Sequence, residues 1–223
     1  MTKDARELLE AVREELRPGE SKNRLVPMIE RGEAARSVFG TIAAEETHIV
    51  RSDWRSLHQL ATRADELLAR EFFGGLAQGE GVALTKLPAL AAAGGMDEGD
   101  LKAYEPMAGC QAYPAYFAWL ALGGEAADVI VGVVANFGAW GDYCARIAAA
   151  AREKYGLDDE AVAFFDFFAT PVPGQEEQAI AAIQAGMDAG RSTERLAFRY
   201  GRLFQAYELM FWNTIADCQD QED

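Results

Sequence analysis

The chain has 223 residues, half of them hydrophobic and 26% charged, which is enough apolar material for one sizeable core and makes a single domain over 1–223 the expectation. Its 36 acidic and 21 basic residues leave a formal net charge of -15, which excludes the basic surface that nucleic acid and anionic membranes attract. Cys110, Cys144 and Cys218 form no CxxC pair and His48 and His58 are the only histidines, so neither a disulfide frame nor a histidine-rich metal centre is expected, and no cofactor.

The opening segment, MTKDARELLEAVREELRPGE, is charged throughout and has no apolar signal region. No later stretch reaches the ~18 uncharged apolar residues of a membrane span, so a cytoplasmic protein is expected. A helix over 3–16 and the segment after it form an N-terminal piece, 1–31, ahead of a bundle at 32–223. Breaks at glycine and proline then delimit helices over 33–51, 53–77, 80–93, 97–103, 112–122, 125–154, 159–168, 174–189 and 191–218. Strand alternation is missing, as are GxGxxG, GxxxxGK[ST] and GxSxG, which leaves an all-α bundle.

Several of these helices carry a lone polar group on an apolar face. In 33–51, Phe39, Ile42, Ala43, Ile49 and Val50 define the inward stripe, and Glu46 follows Phe39 by seven residues. Glu45 lies closer to Val38 and Ile42, so spacing alone does not choose between the two acids, and Glu46 is preferred. His48 reads as half-exposed. In 112–122, Tyr113, Tyr116, Phe117 and Leu120 share a face, with Pro114 near the helix start or kinking it. Tyrosines there serve as core or as a stacking surface for a flat heteroaromatic.

The helix 125–154 aligns Val129, Val133, Asn136, Trp140, Tyr143 and Ile147, with Asn136 as the polar exception. Asp142 shares a neighbouring face with Gly138 and Gly141, whose expected use is close helix packing. Phe164, Phe165, Phe167 and Phe168 end the next helix as a cluster of core-filling size. In 191–218, Glu208 stands among Tyr200, Phe204, Tyr207, Phe211, Trp212 and Ile215. A carboxylate in such surroundings is either a hydrogen-bonded tie between helices or a pocket acid. Three lone polar groups on three helices, Glu46, Asn136 and Glu208, favour the pocket.

Three stretches carry a family resemblance: YELMFWNTI near the C-terminus, FFDFFATP before a proline-containing turn, and AYFAWLA. They are similar to segments of the TenA/THI-4 (thiaminase II) family, and helix 33–51 has the length and position of that family's substrate-binding helix. The resemblance implies a haem-oxygenase-like bundle, a homo-oligomer (dimer or tetramer), and a small heteroaromatic ligand. It further implies an enzyme that replaces the amine on the methylene carbon of an aminopyrimidine with hydroxyl, in salvage of the thiamin pyrimidine.

Carried over, the catalytic acid falls on Glu208, and the ring-binding acid on Glu46, one methylene longer than the family's aspartate. The stacking tyrosine falls on Tyr116. Phe168 and Trp140 stand where the family has tyrosines, and Asn136 stands where it has its nucleophilic cysteine. Tyr113, Phe39, Phe211 and Trp212 complete the implied substrate-binding set. Without the motif thiol the covalent route is closed, and Glu46 and Glu208 are left as paired carboxylates, both assigned catalytic roles. The alternative is a non-catalytic protein of the same fold that binds a small ligand or a protein partner. Di-iron relatives need a histidine-rich helix that the C-terminal third lacks, and His48 lies too far along its helix for a haem ligand.

Overall fold

The computed structural model describes residues 4–219, which form eleven α-helices and no strand. In chain order these are α1 (Ala5–Glu20), α2 (Leu25–Arg31), α3 (Val38–Arg63), α4 (Leu67–Leu84), α5 (Leu87–Ala93), α6 (Glu98–Ala103), α7 (Ala108–Gly123), α8 (Ala126–Tyr155), α9 (Ala163–Ala169), α10 (Gln175–Asp188) and α11 (Glu194–Gln219). Among the described residues no helix is long and apolar enough to cross a membrane.

The all-α reading agrees with the structure, and several boundaries move. Lys3, the expected first residue of the first helix, lies outside the described residues. That helix begins at an Asp4 N-cap, whose side chain accepts the Glu7 N–H at 2.8 Å while the Glu7 carboxylate accepts the Asp4 N–H at 3.1 Å. The expected break at residue 52 does not occur. Ser52 and Asp53 offer neither glycine nor proline, and α3 runs on for 26 residues until Ala64 turns extended (ψ 133°). The expected break at 78–79, in the glycine-rich FFGGLAQGEG, is helical within α4, and among the described residues the α3–α4 pair has the most extensive contact. Tertiary packing outweighs the ~1 kcal/mol helix cost of each glycine. α7 begins four residues before its expected start, so Pro114 lies inside it. Helix α2 was not anticipated.

α3, α7, α11 and α8 are packed in sequence, with α4 and α5 on α3, α10 bridging α4 to α8, and α1 against α8, α10 and α11. Two apolar clusters result. One gathers the first half of α3 with α2, α5, α9 and the later parts of α8 and α11; the other joins the end of α3 to α1, α4, α7, α10 and the earlier parts of α8 and α11. Each long helix thus passes from one cluster into the other. The polar exceptions sit where they cross: Glu46 and Asp53 in α3, Asn136 in α8 between Ala135 and Tyr143, and Glu208 in α11 between Phe204 and Phe211.

Candidate functional site

Between the two clusters lies a cavity of about 680 Å³. This falls within the ~300–1,000 Å³ range of small-molecule sites. Glu46, Asp53, Glu80 and Glu208 face it from α3, α4 and α11, together with Asn136 of α8. Tyr113, Phe117, Trp140, Phe168 and Phe211 supply aromatic wall, and the exposed stretch Pro171–Pro173 marks its mouth.

Tertiary packing separates the two neighbouring acids. Glu46 projects into the cavity, whereas Glu45, one residue earlier and wholly buried, is turned toward the α6–α7 connection. Its carboxylate accepts hydrogen bonds from the Tyr104 hydroxyl (2.8 Å), the Met107 N–H (2.7 Å) and the Gln111 amide (3.1 Å). It is a structural tie that holds the start of α7 on α3. Glu45→Ala orphans three donors and is expected to destabilise the fold by about 3 kcal/mol or more, as a denaturant titration measures.

Glu208 accepts the indole N–H of Trp212, one turn on, at 3.4 Å. The Trp212 ring is wholly buried behind the cavity wall, tilted 5.2 Å from Trp140 and edge-on to Tyr143. Asn136 donates through Nδ2 to the Gly132 carbonyl (3.0 Å) and reaches that of Gly201 at 3.5 Å, which leaves its buried Oδ1 without a partner. Neither Cys110 nor Cys144 lines the cavity, and burial pushes both thiols up, away from thiolate.

Three expected ligand contacts lie elsewhere. Tyr116 is not in the wall: α7 turns it toward α11, where its ring meets Tyr200, Phe204 and Tyr207 and stacks on Trp119. Tyr113, three residues earlier, takes the cavity face. Phe39 is core, edge-on to Tyr155, and Trp212 backs Glu208 without lining the cavity. Close packing does not explain Gly138, an exposed residue of the cavity lining, since nothing lies within 4 Å of where its Cβ would stand. Gly141 does approach α9, with the Phe168 carbonyl 3.3 Å from its Cβ position. The phenylalanine cluster divides: Phe164 and Phe165 are core, and Phe167 and Phe168 are wall.

Asp53 and Glu80 were missed. Asp53 stands seven residues after Glu46 and fourteen after Phe39, so the same stripe pointed to it, but the supposed break at 52 placed it at a helix start. Glu80 stood at the expected start of helix 80–93, and only the continuous α4 turns it toward the cavity.

Burial comes first among the causes that raise these carboxyls. Burial, then the charges of Glu80, Glu45 and Glu208, pushes Glu46 well above the usual carboxylate range; burial, then Glu80 and Glu46, does the same for Asp53. Burial pushes Glu80 up to about 8. The sign of the resulting pH dependence follows. In the unfolded chain Glu80 loses its proton near 4.5, while in the folded protein it keeps it until about 8, so in that window the unfolded state binds fewer protons and stability falls as pH rises; the raised Glu46 and Asp53 act in the same direction. Below 4.5 the opposite set acts, because Arg146 and Arg13 hold Glu30 and Glu176 low, and protonating those two carboxyls forfeits stability. The melting temperature is expected to peak near pH 5 and to drop toward pH 8, and Glu80→Gln to flatten that drop, in a calorimetric pH series.

The TENA/THI-4/PQQC family model matches residues 24–216. The chain belongs to the TENA/THI-4/PQQC family. Solved structures agree in fold. A TenA homologue from Pseudomonas syringae pv. tomato str. DC3000 superposes with a TM-score of 0.78 at 11% identity, covering 96% of each chain. A domain of unknown function with a haem-oxygenase-like fold from Shewanella denitrificans OS217 gives 0.75 at 13% identity, over 97% of this chain and 94% of that one. A TenA family transcription regulator from Silicibacter sp. TM1040 gives 0.66 at 16% identity, over 93% and 96%. No curated protein matches the sequence significantly. The TenA-like fold and family expected from the short motifs are therefore correct, on a chain whose cavity carries two acids that those motifs did not contain.

Proposed function

We propose that this TenA-like protein is a C–N hydrolase of a small aminopyrimidine or related nitrogen heterocycle, working through carboxyl groups in place of a thiol. One observation carries the reading: Glu46, Asn136 and Glu208, from three different helices, face one open cavity of ligand size. In the reaction the oxygen of water bonds to the methylene carbon on the ring, the C–N bond breaks, and the amine leaves. Glu208 takes a proton from the attacking water and returns one to the departing nitrogen, so the products are the hydroxymethyl heterocycle and the free amine. Glu46 retains its proton and meets a ring nitrogen, while the unpartnered Asn136 Oδ1 accepts from the exocyclic amino group. Tyr113 and Trp140 flank the ring as stacking surfaces.

The test is a thermal-shift and mass-spectrometry screen of the purified protein against thiamin, its aminomethyl, formylaminomethyl and hydroxymethyl pyrimidines, and unrelated heterocycles. A pyrimidine that stabilises the fold and is converted to its hydroxymethyl product supports the hydrolase. Binding without turnover selects the non-catalytic reading, which the description of the Silicibacter relative as a transcription regulator also favours. If folded protein binds no pyrimidine, the hydrolase reading is lost.

A further inference from the structure

The proposed chemistry uses Glu46, Asn136 and Glu208, and leaves Asp53 and Glu80 without a task. Asp53 is only 6% exposed, lines the cavity, and its Oδ1 has no hydrogen-bond partner. A buried carboxylate oxygen left open costs free energy unless something completes it. Glu80 shares the same cavity from the facing helix α4, close enough that its charge is felt at Asp53. Among the described residues the sole basic side chain in the wall is Arg13, which is engaged by Glu10 (2.7 Å) and Glu176 (2.9 Å).

The completing partner is therefore to come from a ligand. Asp53 lies two helical turns from Glu46, about 10 Å along the α3 axis, so a single ring anchored at Glu46 fills only part of the cavity. The same groups do not suit a metal ion: among the described residues no three acidic, histidine or cysteine side chains are gathered closely enough to hold one. What does suit acids set among aromatic rings is an organic cation, which gains from carboxylates and from ring faces together. A phosphate or carboxylate on the ligand would instead meet four acids.

We propose that Asp53 and Glu80 form a cation subsite, which holds a protonated amine or guanidinium carried by the ligand two helical turns from the Glu46 end. The inference rests on the proposed ligand site and extends it from the ring to the ligand's far end. It names the ligand class as a heterocycle with a basic arm, and excludes phosphorylated forms.

The test compares matched probes by calorimetry at about pH 9, above the value near 8 at which Glu80 gives up its proton and below the ~10 of a primary amine: the aminomethyl pyrimidine with a 3-aminopropyl arm on its exocyclic nitrogen, the same compound with a neutral propyl arm, and the phosphate ester of the hydroxymethyl pyrimidine. In the native protein the charged arm is expected to bind at least about tenfold tighter than the neutral one, and the phosphate ester not at all. In Asp53→Asn/Glu80→Gln, with folding checked by circular dichroism, the charged-to-neutral ratio is expected to collapse toward one; Asp53→Asn alone serves if the pair fails to fold. A ratio that survives the substitutions, or is near one in the native protein, overturns the subsite, as does binding of the phosphate ester. Agmatine and 1,4-diaminobutane separate this inference from the hydrolase reading. If no pyrimidine binds but these amines do, and the double variant loses them, the subsite stands without the hydrolase. If they also fail to bind, the subsite falls with it.

Discussion

Glu208→Gln is expected to lower kcat/KM for pyrimidine hydrolysis by about 10³-fold, in line with the ~10²–10⁴ contributed by a general acid or base, while leaving the melting temperature nearly unchanged. The amide matches the carboxylate in size, and its oxygen still accepts the Trp212 indole N–H that the carboxylate accepts at 3.4 Å. What it lacks is a proton that can be taken from water and returned to the leaving nitrogen. The charge of Glu208 is among the causes that hold Glu46 protonated, so its removal also relieves Glu46 and adds no destabilisation. Steady-state kinetics beside a thermal melt separates the roles. Turnover within a few-fold of native would remove Glu208 from the chemistry, and a large fall in melting temperature would make it a structural tie like Glu45.

Gly94→Ala is expected to be the most damaging single-methyl substitution in the fold, at about 3 kcal/mol or more, or roughly 10 °C in melting temperature for a chain of this length. A Cβ at Gly94 would stand 1.9 Å from the backbone nitrogen of Gly40 and 2.5 Å from its Cα, where α5 ends against α3. Backbone cannot swing aside as a flexible side chain can, so α5 must separate from α3 and disturb the apolar cluster they share. The effect is steric: Gly94 has φ -86°, which any residue adopts. Gly95 next to it is the reverse case, with φ +87° and open space around its Cβ position. Gly95→Ala is expected to cost only the ~1–2 kcal/mol of a left-handed alanine. Equal losses at the two positions would show that the helix crossing tolerates a methyl group and that the turn conformation dominates.

Much of the candidate site is legible from spacing. The stripe of Phe39, Ile42, Ala43, Ile49 and Val50 carries Glu46, and the aromatic face of α11 carries Glu208, because in a long amphipathic helix the position of a side chain fixes its direction. Asn136 follows in the same way. The choice between Glu45 and Glu46 is narrower: both are buried, and the partners that distinguish them, Tyr104 and Gln111, come from residues about sixty positions away. Tyr116 and Tyr113 illustrate the same limit, since both lie on the inner side of α7 and only the placement of α11 decides which faces ligand and which faces helix.

The sequence by itself determined the helical class, the polar exceptions on three apolar faces, and enough of the TenA-like motifs to indicate the family, because these depend on local periodicity and on short residue patterns. Tertiary structure alone decided that α3 continues past residue 52 and that α4 runs unbroken through 78–79, since packing between those two helices outweighs weak local propensity. Those two decisions bring Asp53 and Glu80 into the cavity. Glycines likewise have opposite surroundings here: Gly94 has backbone 1.9 Å from where its Cβ would stand, whereas Gly138 is exposed with open space around it. A glycine reads alike in both places, and the difference is made by what the rest of the chain puts opposite it.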